Sequence, residues 1–366
     1  MKFAFVVVLS LIAAVQIGCS SRDSSNQVTG LDVNQRARFA YIANHDVNTI
    51  AIFSIDPLTG QLSTQGSVSA PGVGPRYLEF NPAGDFLFVS FDISNMIASF
   101  AVDATTGALT LVPGTPVPTG SGPKNIAIDP AGRYLYVSNA GSNNVSGYAI
   151  SSGLLKEVQG SPFATDLVPY GLEVSDSGLF LYVTNRDSNT VTAFSINEAT
   201  GSLAPISGSP FSAGTGPRAI ALSSSGEFAF VPNRFSNDVT VFRTDAITGA
   251  LASITGSPFP AGSDPRSVTL AASGRFLYVG NSASNDVSAY VVDANTGALI
   301  PTPGSPFPAG LVPLDLTAGP SGRFLYVVNN ASNDISVYSI DADTGGLSQV
   351  QTAASGGAAI SIAITE

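Results

Sequence analysis

The sequence predicts an all-β fold, a seven-bladed β-propeller of four-stranded antiparallel blades. The phrase GRYLYVSNAGSNNVSGYAI begins at Gly132 and returns in close variants at Gly178, Gly274 and Gly322. The aromatic residue that opens each YLYV-like run lies at Phe39, Phe86, Tyr134, Phe180, Phe228, Phe276 and Phe324. The spacing of 46 to 48 residues is typical of propeller blades, each of which buries its faces only against its neighbours.

Each repeat is predicted to form four strands separated by turns. In the copy around Tyr134, KNIAI at residues 124–128 is the innermost strand, and DPAGR is a turn because proline presets φ and glycine accepts positive φ. YLYVSN is the second strand, and NVSGYAI is the third, with alternating apolar residues. A turn such as DATTGAL follows in most copies, and an irregular fourth strand then leads into a Gly/Pro-rich link such as GSPFPAGSDPR.

The two ends of the chain are predicted to share one blade. The first copy has no innermost strand before Phe39, and the chain ends with ISIAITE, residues 360–366, which no second strand follows. We expect this C-terminal strand to complete the N-terminal blade, which closes the ring and leaves no open sheet edge. The propeller is therefore predicted to occupy residues 38–366.

Residues 1–18 are predicted to be a lipoprotein signal peptide, because Lys2 precedes an apolar run, FAFVVVLSLIAAV, that is shorter than a membrane span. VQIGC resembles a bacterial lipobox with Cys19 as the lipidated residue, and an ordinary secretory peptide with an incidental cysteine is the alternative. Both interpretations predict export, and the lipobox predicts a lipid anchor in the bacterial cell envelope, facing the periplasm or the exterior. Residues 19–37 are polar and aperiodic, which predicts a flexible tether.

The composition and the missing motifs argue against several classes of function. A net charge of -11 with only 15 Lys and Arg residues argues against nucleic acid or anionic lipid as a general partner. The sequence has no Gly-x-Ser-x-Gly elbow, no phosphate loop and no Cys/His cluster with metal spacing. The Asp-x-x-Thr-Gly motifs are predicted to be turns, because they lack the further ligands of a calcium loop. We expect a monomer without a cofactor or metal ion, in contact with the membrane only through its lipid.

One face of the ring is predicted to be basic and rich in asparagine. If each innermost strand runs away from its link, the links and the turns after the second strands lie on this face. The predicted ligand-binding cations there are Arg76, Lys124, Arg186, Arg218, Arg234 and Arg266. Asparagine ends six of the second strands, at Asn44, Asn139, Asn185, Asn233, Asn281 and Asn329. Asparagine is also a residue that satisfies turn backbone groups, and His45 is predicted to be a solvated loop residue.

Acidic residues interrupt the small residues of the innermost strands. At one aligned position four repeats hold Ala127, Ala221, Thr269 and Thr317, whereas two others hold Glu79 and Glu173. Asp315 occupies a neighbouring position in another blade. Because a buried carboxylate is costly unless it is paired, hydrated or liganded, these residues predict a water-filled central channel and candidate site residues. Pairing with a nearby arginine, or hydration without any ligand, is the alternative.

The strings YLYVSN, FLYVTN and GPRAIAL, together with the Asp-x-x-Thr-Gly turns, resemble the YVTN-repeat and lactonase-type propellers, which include 6-phosphogluconolactonase-like proteins. The resemblance covers residues 38–366 and implies lactone hydrolysis, which needs a base for water and cations for the developing oxyanion. It implies Glu79 or Glu173 as the base, with Arg76, Arg218 or Arg266 holding the carbonyl oxygen. Active relatives are expected to carry histidine near the channel mouth, where this sequence has NRDSN and GPRAI.

Two functional hypotheses follow. The first is an envelope-anchored platform that binds an acidic ligand or an envelope protein through the basic, Asn-rich face. The second is a lactonase that hydrolyses a carbohydrate lactone or a related lactone. The single histidine and the predicted export favour the first, since a phosphorylated sugar lactone is a cytoplasmic metabolite.

Overall fold

The computed structural model describes residues 38–365 of the chain. All 33 regular elements in this range are β-strands, arranged in seven antiparallel sheets. The predicted signal peptide (1–18), the lipidation residue Cys19 and the tether (19–37) lie outside the described residues. Within residues 38–365, there is no helix of sufficient length and apolar character to cross a membrane.

The strands are numbered in chain order and grouped by blade. Blade 1 contains β1 (Arg38–Asn44), β2 (Thr49–Ile55) and β3 (Leu62–Ser69). Blade 2 contains β4 (Pro75–Phe80), β5 (Phe86–Phe91), β6 (Met96–Val102), β7 (Leu109–Leu111) and β8 (Val117–Pro118). Blade 3 contains β9 (Pro123–Ile128), β10 (Tyr134–Asn139), β11 (Asn144–Ser151), β12 (Leu154–Glu157) and β13 (Phe163–Ala164). Blade 4 contains β14 (Pro169–Val174), β15 (Phe180–Asn185), β16 (Thr190–Ile196), β17 (Leu203–Pro205) and β18 (Phe211–Ser212).

The remaining blades repeat the same order. Blade 5 contains β19 (Ala221–Leu222), β20 (Phe228–Asn233), β21 (Asp238–Thr244), β22 (Leu251–Ser253) and β23 (Phe259–Pro260). Blade 6 contains β24 (Pro265–Leu270), β25 (Phe276–Asn281), β26 (Asp286–Val292), β27 (Leu299–Pro301) and β28 (Phe307–Pro308). Blade 7 contains β29 (Pro313–Ala318), β30 (Phe324–Asn329), β31 (Asp334–Ile340) and β32 (Leu347–Ala354). The last strand is β33 (Ala359–Ile364).

Every blade has the predicted four-stranded antiparallel order. In blade 3, for example, the hydrogen-bonded order is β9, β10, β11 and β12. The irregular fourth strand is confirmed, because in blades 2 to 6 it consists of two short pieces that both pair with the third strand. A cis peptide bond precedes a proline between the two pieces in each of these five blades.

The C-terminal strand completes the N-terminal blade, as predicted. Strand β33 pairs antiparallel with β1, from Ala40 opposite Ile364 to Asn44 opposite Ala359. The register shifts between Ala43 and Asn44. Blade 1 is therefore built from both ends of the described chain, and the innermost strand is supplied last.

Glycines in the turns between the third and fourth strands form the seams between blades. In the first such turn, Asp56 Oδ1 accepts hydrogen bonds from the backbone N–H groups of Leu58 and Thr59, both at 2.8 Å. Gly60 then takes a φ of 73°, and a Cβ at this position would overlap the ring of Phe324 in blade 7. The prediction that these segments are turns is confirmed, and the repeated aromatic residue packs on the neighbouring blade's turn.

Tyrosine hydroxyls add a hydrogen bond to most seams. The tyrosine two positions after the repeated aromatic donates to the carbonyl of the turn glycine in the next blade, at 2.8 to 3.1 Å. These bonds join Tyr41 to Gly107, Tyr136 to Gly201, Tyr182 to Gly249, Tyr278 to Gly345 and Tyr326 to Gly60. Phe88 and Phe230 occupy the equivalent positions in blades 2 and 5, where the sequence offers no hydroxyl.

Exchanging the aromatic residue at two seams tests the contribution of this hydrogen bond. Tyr278→Phe leaves the Gly345 carbonyl without its donor and is expected to lower the free energy of unfolding by about 1–2 kcal/mol. Phe230→Tyr supplies a hydroxyl opposite Gly297 and is expected to raise the free energy of unfolding by about 0.5–1 kcal/mol. Urea unfolding midpoints measure both effects, and a Tyr278→Phe midpoint equal to that of the parent protein would contradict the role given to the seam bond.

Candidate functional site

A cavity of about 840 Å³ runs along the ring axis and is lined by the innermost strands. Residues from all seven innermost strands contribute to its wall, from Arg76 and Lys124 at one end to Asn81 and Asp176 at the other. The axial channel that the acidic residues predicted is therefore present. It is the candidate functional site.

The residue that follows the link proline of each innermost strand lies at one mouth of the cavity. In blades 2 to 6 this position holds Arg76, Lys124, Tyr170, Arg218 and Arg266, and all five line the cavity. Blades 7 and 1 hold Leu314 and Ile360 there, which also line it. The mouth therefore has a cationic arc and a short apolar arc, and four of the six predicted cations lie together.

Tyr170 is the member of this ring that the sequence reasoning missed. Its hydroxyl oxygen accepts a hydrogen bond from Arg76 Nη2 at 2.5 Å and another from Arg218 Nη2 at 2.7 Å. The Arg218 guanidinium also stacks over the Tyr170 ring, 4.1 Å from its centroid. The signal that could have found Tyr170 is its place after Pro169, where three other blades carry arginine and one carries lysine.

The electrostatics of this contact make the Tyr170 phenol easier to ionise than an ordinary tyrosine. Burial raises the pKa of Tyr170, but the charges of Arg76 and Arg218, and then of Lys124 and Arg266, outweigh burial and lower the pKa to about 8. Burial lowers the pKa of Arg218 to about 9, with Tyr170 opposing this change and Arg76 adding to it. Arg218 keeps its charge at neutral pH although only 7% of it is exposed.

Two of the predicted cations lie outside the cavity wall. Arg186 forms an ion pair with the adjacent Asp187, with Nε 2.6 Å from Oδ1. Arg234 Nε lies 2.7 Å from Asp264 Oδ1, and the other oxygen of Asp264 lies 2.6 Å from Arg266 Nη2. Arg186 thus has a carboxylate partner of its own and Arg234 and Arg266 share one, whereas Arg76 and Arg218 have none among the described residues.

His45 belongs to a chain of polar contacts that reaches the cavity mouth. Its Nε2 lies 3.0 Å from Asp92 Oδ1, and Lys124 Nζ lies 2.9 Å from Asp92 Oδ2. His45 lies in the turn after β1, as predicted, and with 22% of its side chain exposed it is only partly solvated. The hydrogen bond to Asp92 raises the pKa of His45 against the effect of burial. Burial raises the pKa of Asp92, but its bonds to His45 and Lys124 lower it to about 2.

The three predicted acidic residues, Glu79, Glu173 and Asp315, all line the cavity. Burial, followed by the charge of Glu173, raises the pKa of Glu79 well above its usual range. Burial, followed by the charge of Asp176, raises the pKa of Glu173 to about 8. Burial also raises the pKa of Asp315 to about 6, although the Ile362 N–H donates to its Oδ2 at 3.1 Å. At neutral pH, Asp315 is therefore mainly ionised and the two glutamates are mainly neutral.

The alternative that these acids pair with arginine is not found among the described residues. No Lys, Arg or His group in residues 38–365 comes within 4.0 Å of the Glu79, Glu173 or Asp315 carboxyl groups. The same part of the chain has no group of three or more His, Cys, Asp and Glu side chains arranged to hold a metal ion. The cavity is therefore basic at the mouth and carries unpaired carboxyl groups along its wall.

The repeated asparagines are structural. Asn139 is fully buried, and its Nδ2 donates to Asn144 Oδ1 and Ser146 Oγ, both at 2.9 Å. Asn281 makes the equivalent bonds to Asp286 and Ser288. All six asparagines are at most 1% exposed, which leaves none of them on the ligand-accessible surface. Among the described residues only the Asn44 side chain of these six bonds a backbone group, the Ser355 carbonyl, whereas the other five donate to side chains of the following strand.

A closed seven-bladed ring with a polar axial cavity defines the class of protein, a seven-bladed β-propeller. The sequence matches the family model described as lactonase, 7-bladed beta-propeller, through residues 7–122, 113–213, 206–310 and 307–364. Since these segments extend over nearly the whole chain, the protein belongs to this lactonase family.

Similar proteins agree with this assignment. A 6-phosphogluconolactonase of Bacillus subtilis is 35% identical over 91 residues, which are 25% of this chain and 26% of that protein. The matched region therefore covers about a quarter of the length of this relative. A Bacteroides fragilis structure has a TM-score of 0.80 at 19% identity over 91% of this chain and 99% of its own. The Pseudomonas aeruginosa periplasmic gluconolactonase gives 0.76 at 21% identity, over 90% and 99%. These structures share the fold.

The single histidine allows a direct test of the contacts at the mouth. Replacing Asp92 by Asn removes the largest effect that raises the pKa of His45, so we expect that pKa to fall. An NMR titration of the imidazole measures it without assignment of other histidines. Asp46→Asn, on the exposed side of the ring, is the matched control and is expected to cause a smaller fall. Equal pKa values in the parent and Asp92→Asn would contradict the contact.

Proposed function

We propose that the protein hydrolyses a lactone in the axial cavity. The observation that carries this proposal is the convergence of Arg76 and Arg218 on one phenol oxygen, with no carboxylate of residues 38–365 paired to either guanidinium. Ester hydrolysis develops negative charge on the carbonyl oxygen, and pre-positioned cations are the groups that stabilise it. Family membership supports the proposal, as does the similarity to a Bacillus subtilis protein named as a 6-phosphogluconolactonase.

The binding platform that the sequence favoured receives less support. Its proposed surface combined basic residues with asparagines, and the asparagines are buried inside the blades. The cations that remain face a cavity of about 840 Å³, a size suited to a small molecule. We therefore propose a sugar lactone, or a lactone of similar size, as the substrate.

The carboxyl groups of the cavity fit the proton transfers that this reaction needs. In the proposed reaction a water oxygen attacks the lactone carbonyl carbon while Asp315, ionised near neutral pH, accepts a proton from that water. The ring C–O bond then breaks, and a neutral glutamate, Glu173 or Glu79, donates a proton to the leaving oxygen. The proton on Asp315 then returns to the glutamate, and the product hydroxy acid releases one proton to solvent, so that its carboxylate lies in the field of Arg76 and Arg218.

These protonation states change the roles expected from the sequence. Glu79 and Glu173 were expected to activate water, which requires the ionised form. Because burial favours their neutral forms, we propose them as acids and Asp315 as the base. Asp315 also lies close enough to Arg76 for that charge to oppose the effect of burial, so the proposed base and one oxyanion donor are neighbours.

A hydrolysis screen with the purified protein tests the proposal, using sugar lactones, phosphorylated sugar lactones and aryl lactones. We expect turnover of at least one class, and Arg218→Gln is expected to lower kcat by about 100-fold because it removes one oxyanion donor. Arg275→Gln is the matched control, since Arg275 is an exposed arginine that stacks on Phe276 outside the cavity. No turnover of any lactone, or equal loss in both variants, would contradict the proposal.

The pH dependence tests the assigned roles separately. The base must be ionised, so kcat/KM is expected to rise through about pH 6 with the ionisation of Asp315. The acid must be protonated, so kcat/KM is expected to fall through about pH 8 with the ionisation of Glu173. Asp315→Asn and the pair Glu79→Gln and Glu173→Gln are each expected to lower kcat by about 100-fold or more. Glu227→Gln, which changes an exposed glutamate outside the cavity, is the control and is expected to keep the parent kcat. A kcat/KM that does not change between about pH 5 and 9 would exclude these roles.

A further inference from the structure

The cluster of Arg76, Tyr170 and Arg218 holds more positive charge than the described residues neutralise. Neither Arg76 nor Arg218 forms an ion pair within residues 38–365, whereas Lys124 and Arg266 are paired with Asp92 and Asp264. Arg218 is almost fully buried. A buried guanidinium without an anionic partner is costly, so this cluster is the strongest candidate for binding an anion.

The Tyr170 oxygen occupies the position that an oxygen of an anionic ligand would take. Two guanidinium N–H groups converge on it, at 2.5 and 2.7 Å, which is the arrangement that arginine uses for carboxylate and phosphate oxygens. A phenol oxygen has two lone pairs, and both are engaged by these donors. Its own hydrogen reaches no acceptor among the described side chains and backbone groups, which favours loss of that proton.

We infer that Arg76, Tyr170 and Arg218 form a binding site for a carboxylate or phosphate group, in which the ionised Tyr170 oxygen competes with the ligand for the same two guanidiniums. When Tyr170 is neutral, the two arginines are available to an external anion. When Tyr170 ionises, it becomes an internal counter-ion and the site loses affinity. The tyrosine thereby makes anion binding dependent on pH.

The ligand class follows from the groups around the mouth. Carboxylate and phosphate both present two oxygens to a pair of guanidiniums. Leu314 and Ile360 complete the ring of the mouth with apolar surface, so the remainder of the ligand contacts carbon on that side. The inference deepens the proposed function, because the product of lactone hydrolysis carries a carboxylate, but its test requires no turnover.

The charges that face Tyr170 come from several blades. Arg76, Arg218, Lys124 and Arg266 lower its pKa, and the pKa of Arg186 is influenced by Tyr170 in return. The carboxyl groups that share the cavity with it are Glu79, Glu173, Asp176 and Asp315. Of these groups only Arg76 and Arg218 touch its oxygen, so their removal is the specific perturbation.

The sign of the pH dependence follows from linkage. An anion bound to the arginines favours protonated Tyr170, so binding must raise the pH at which Tyr170 ionises. Reciprocally, anion affinity is highest below that pH and decreases above it. Burial raises the pKa of nine of the other ten tyrosines, that of Tyr148 to about 12. Tyr170 is thus expected to ionise alone near pH 8.

A spectroscopic titration of tyrosinate absorbance tests the inference. The full chain is titrated in chloride, then in inorganic phosphate and in gluconate at equal ionic strength. We expect one tyrosine to ionise near pH 8 in chloride, and its midpoint to rise by about half a unit or more when phosphate or gluconate is present. A rise with phosphate alone identifies a phosphate site, and a rise with gluconate alone identifies a carboxylate site. No rise with either anion would overturn the inference.

Variants assign the signal to the cluster. Tyr170→Phe is expected to remove the transition near pH 8, and Tyr148→Phe, which loses a hydroxyl bonded to the Pro118 carbonyl, is expected to keep it. Arg218→Gln retains the tyrosine and is expected to move the midpoint up by about one unit or more, which provides a test if Tyr170→Phe folds poorly. Persistence of the transition in Tyr170→Phe would overturn the inference whether or not lactones are hydrolysed.

Discussion

The packing of each turn glycine against an aromatic ring of the neighbouring blade is the constraint on which the rest of the structure depends. A four-stranded blade has two apolar faces and cannot bury them alone. The glycine has room only for hydrogen where the aromatic ring lies, and the adjacent tyrosine hydroxyl bonds to the same glycine in five of the seven seams. With Tyr326 bonded to Gly60 and β33 paired with β1, the last seam joins the two ends of the described chain.

The closed ring fixes the positions of the innermost strands, and this determines the chemistry of the cavity. In five blades a link proline begins the innermost strand, and the residues at the equivalent position of all seven blades meet around one mouth. Local carboxylates pair with Lys124 and Arg266, whereas Arg76 and Arg218 have only the Tyr170 oxygen between them. The cavity therefore separates unneutralised positive charge at its mouth from two glutamates that burial keeps largely neutral. This separation supports anion recognition and acid–base chemistry within one small volume.

The sequence predicted the repeat and its strands correctly, but it predicted the side-chain contacts less well. The strand order, the turns and the closing strand followed from the period and from local turn chemistry. The candidate acids and four of the cations were also predicted to lie near the channel, because position within a repeat specifies depth in a propeller. The expectations for Arg186, Arg234, the asparagines and His45 were less accurate. Asp264, which pairs with Arg234, and Asp92, which contacts His45, come from turns of neighbouring repeats. The sequence shows that these groups are polar, but it does not show which of them meet.

The sequence by itself determined the fold, since seven similar repeats with an incomplete blade at each end can bury their faces only by closing into a ring. It also determined which residue types stand at the mouth. Only the tertiary structure decided which of them touch. Tyr170 lies 94 residues from Arg76 and 48 from Arg218, on three different blades, and their convergence depends on the radius of the ring and the reach of each side chain. The charge of each group then depends on burial and on neighbours through space, which the order of residues along the chain does not specify.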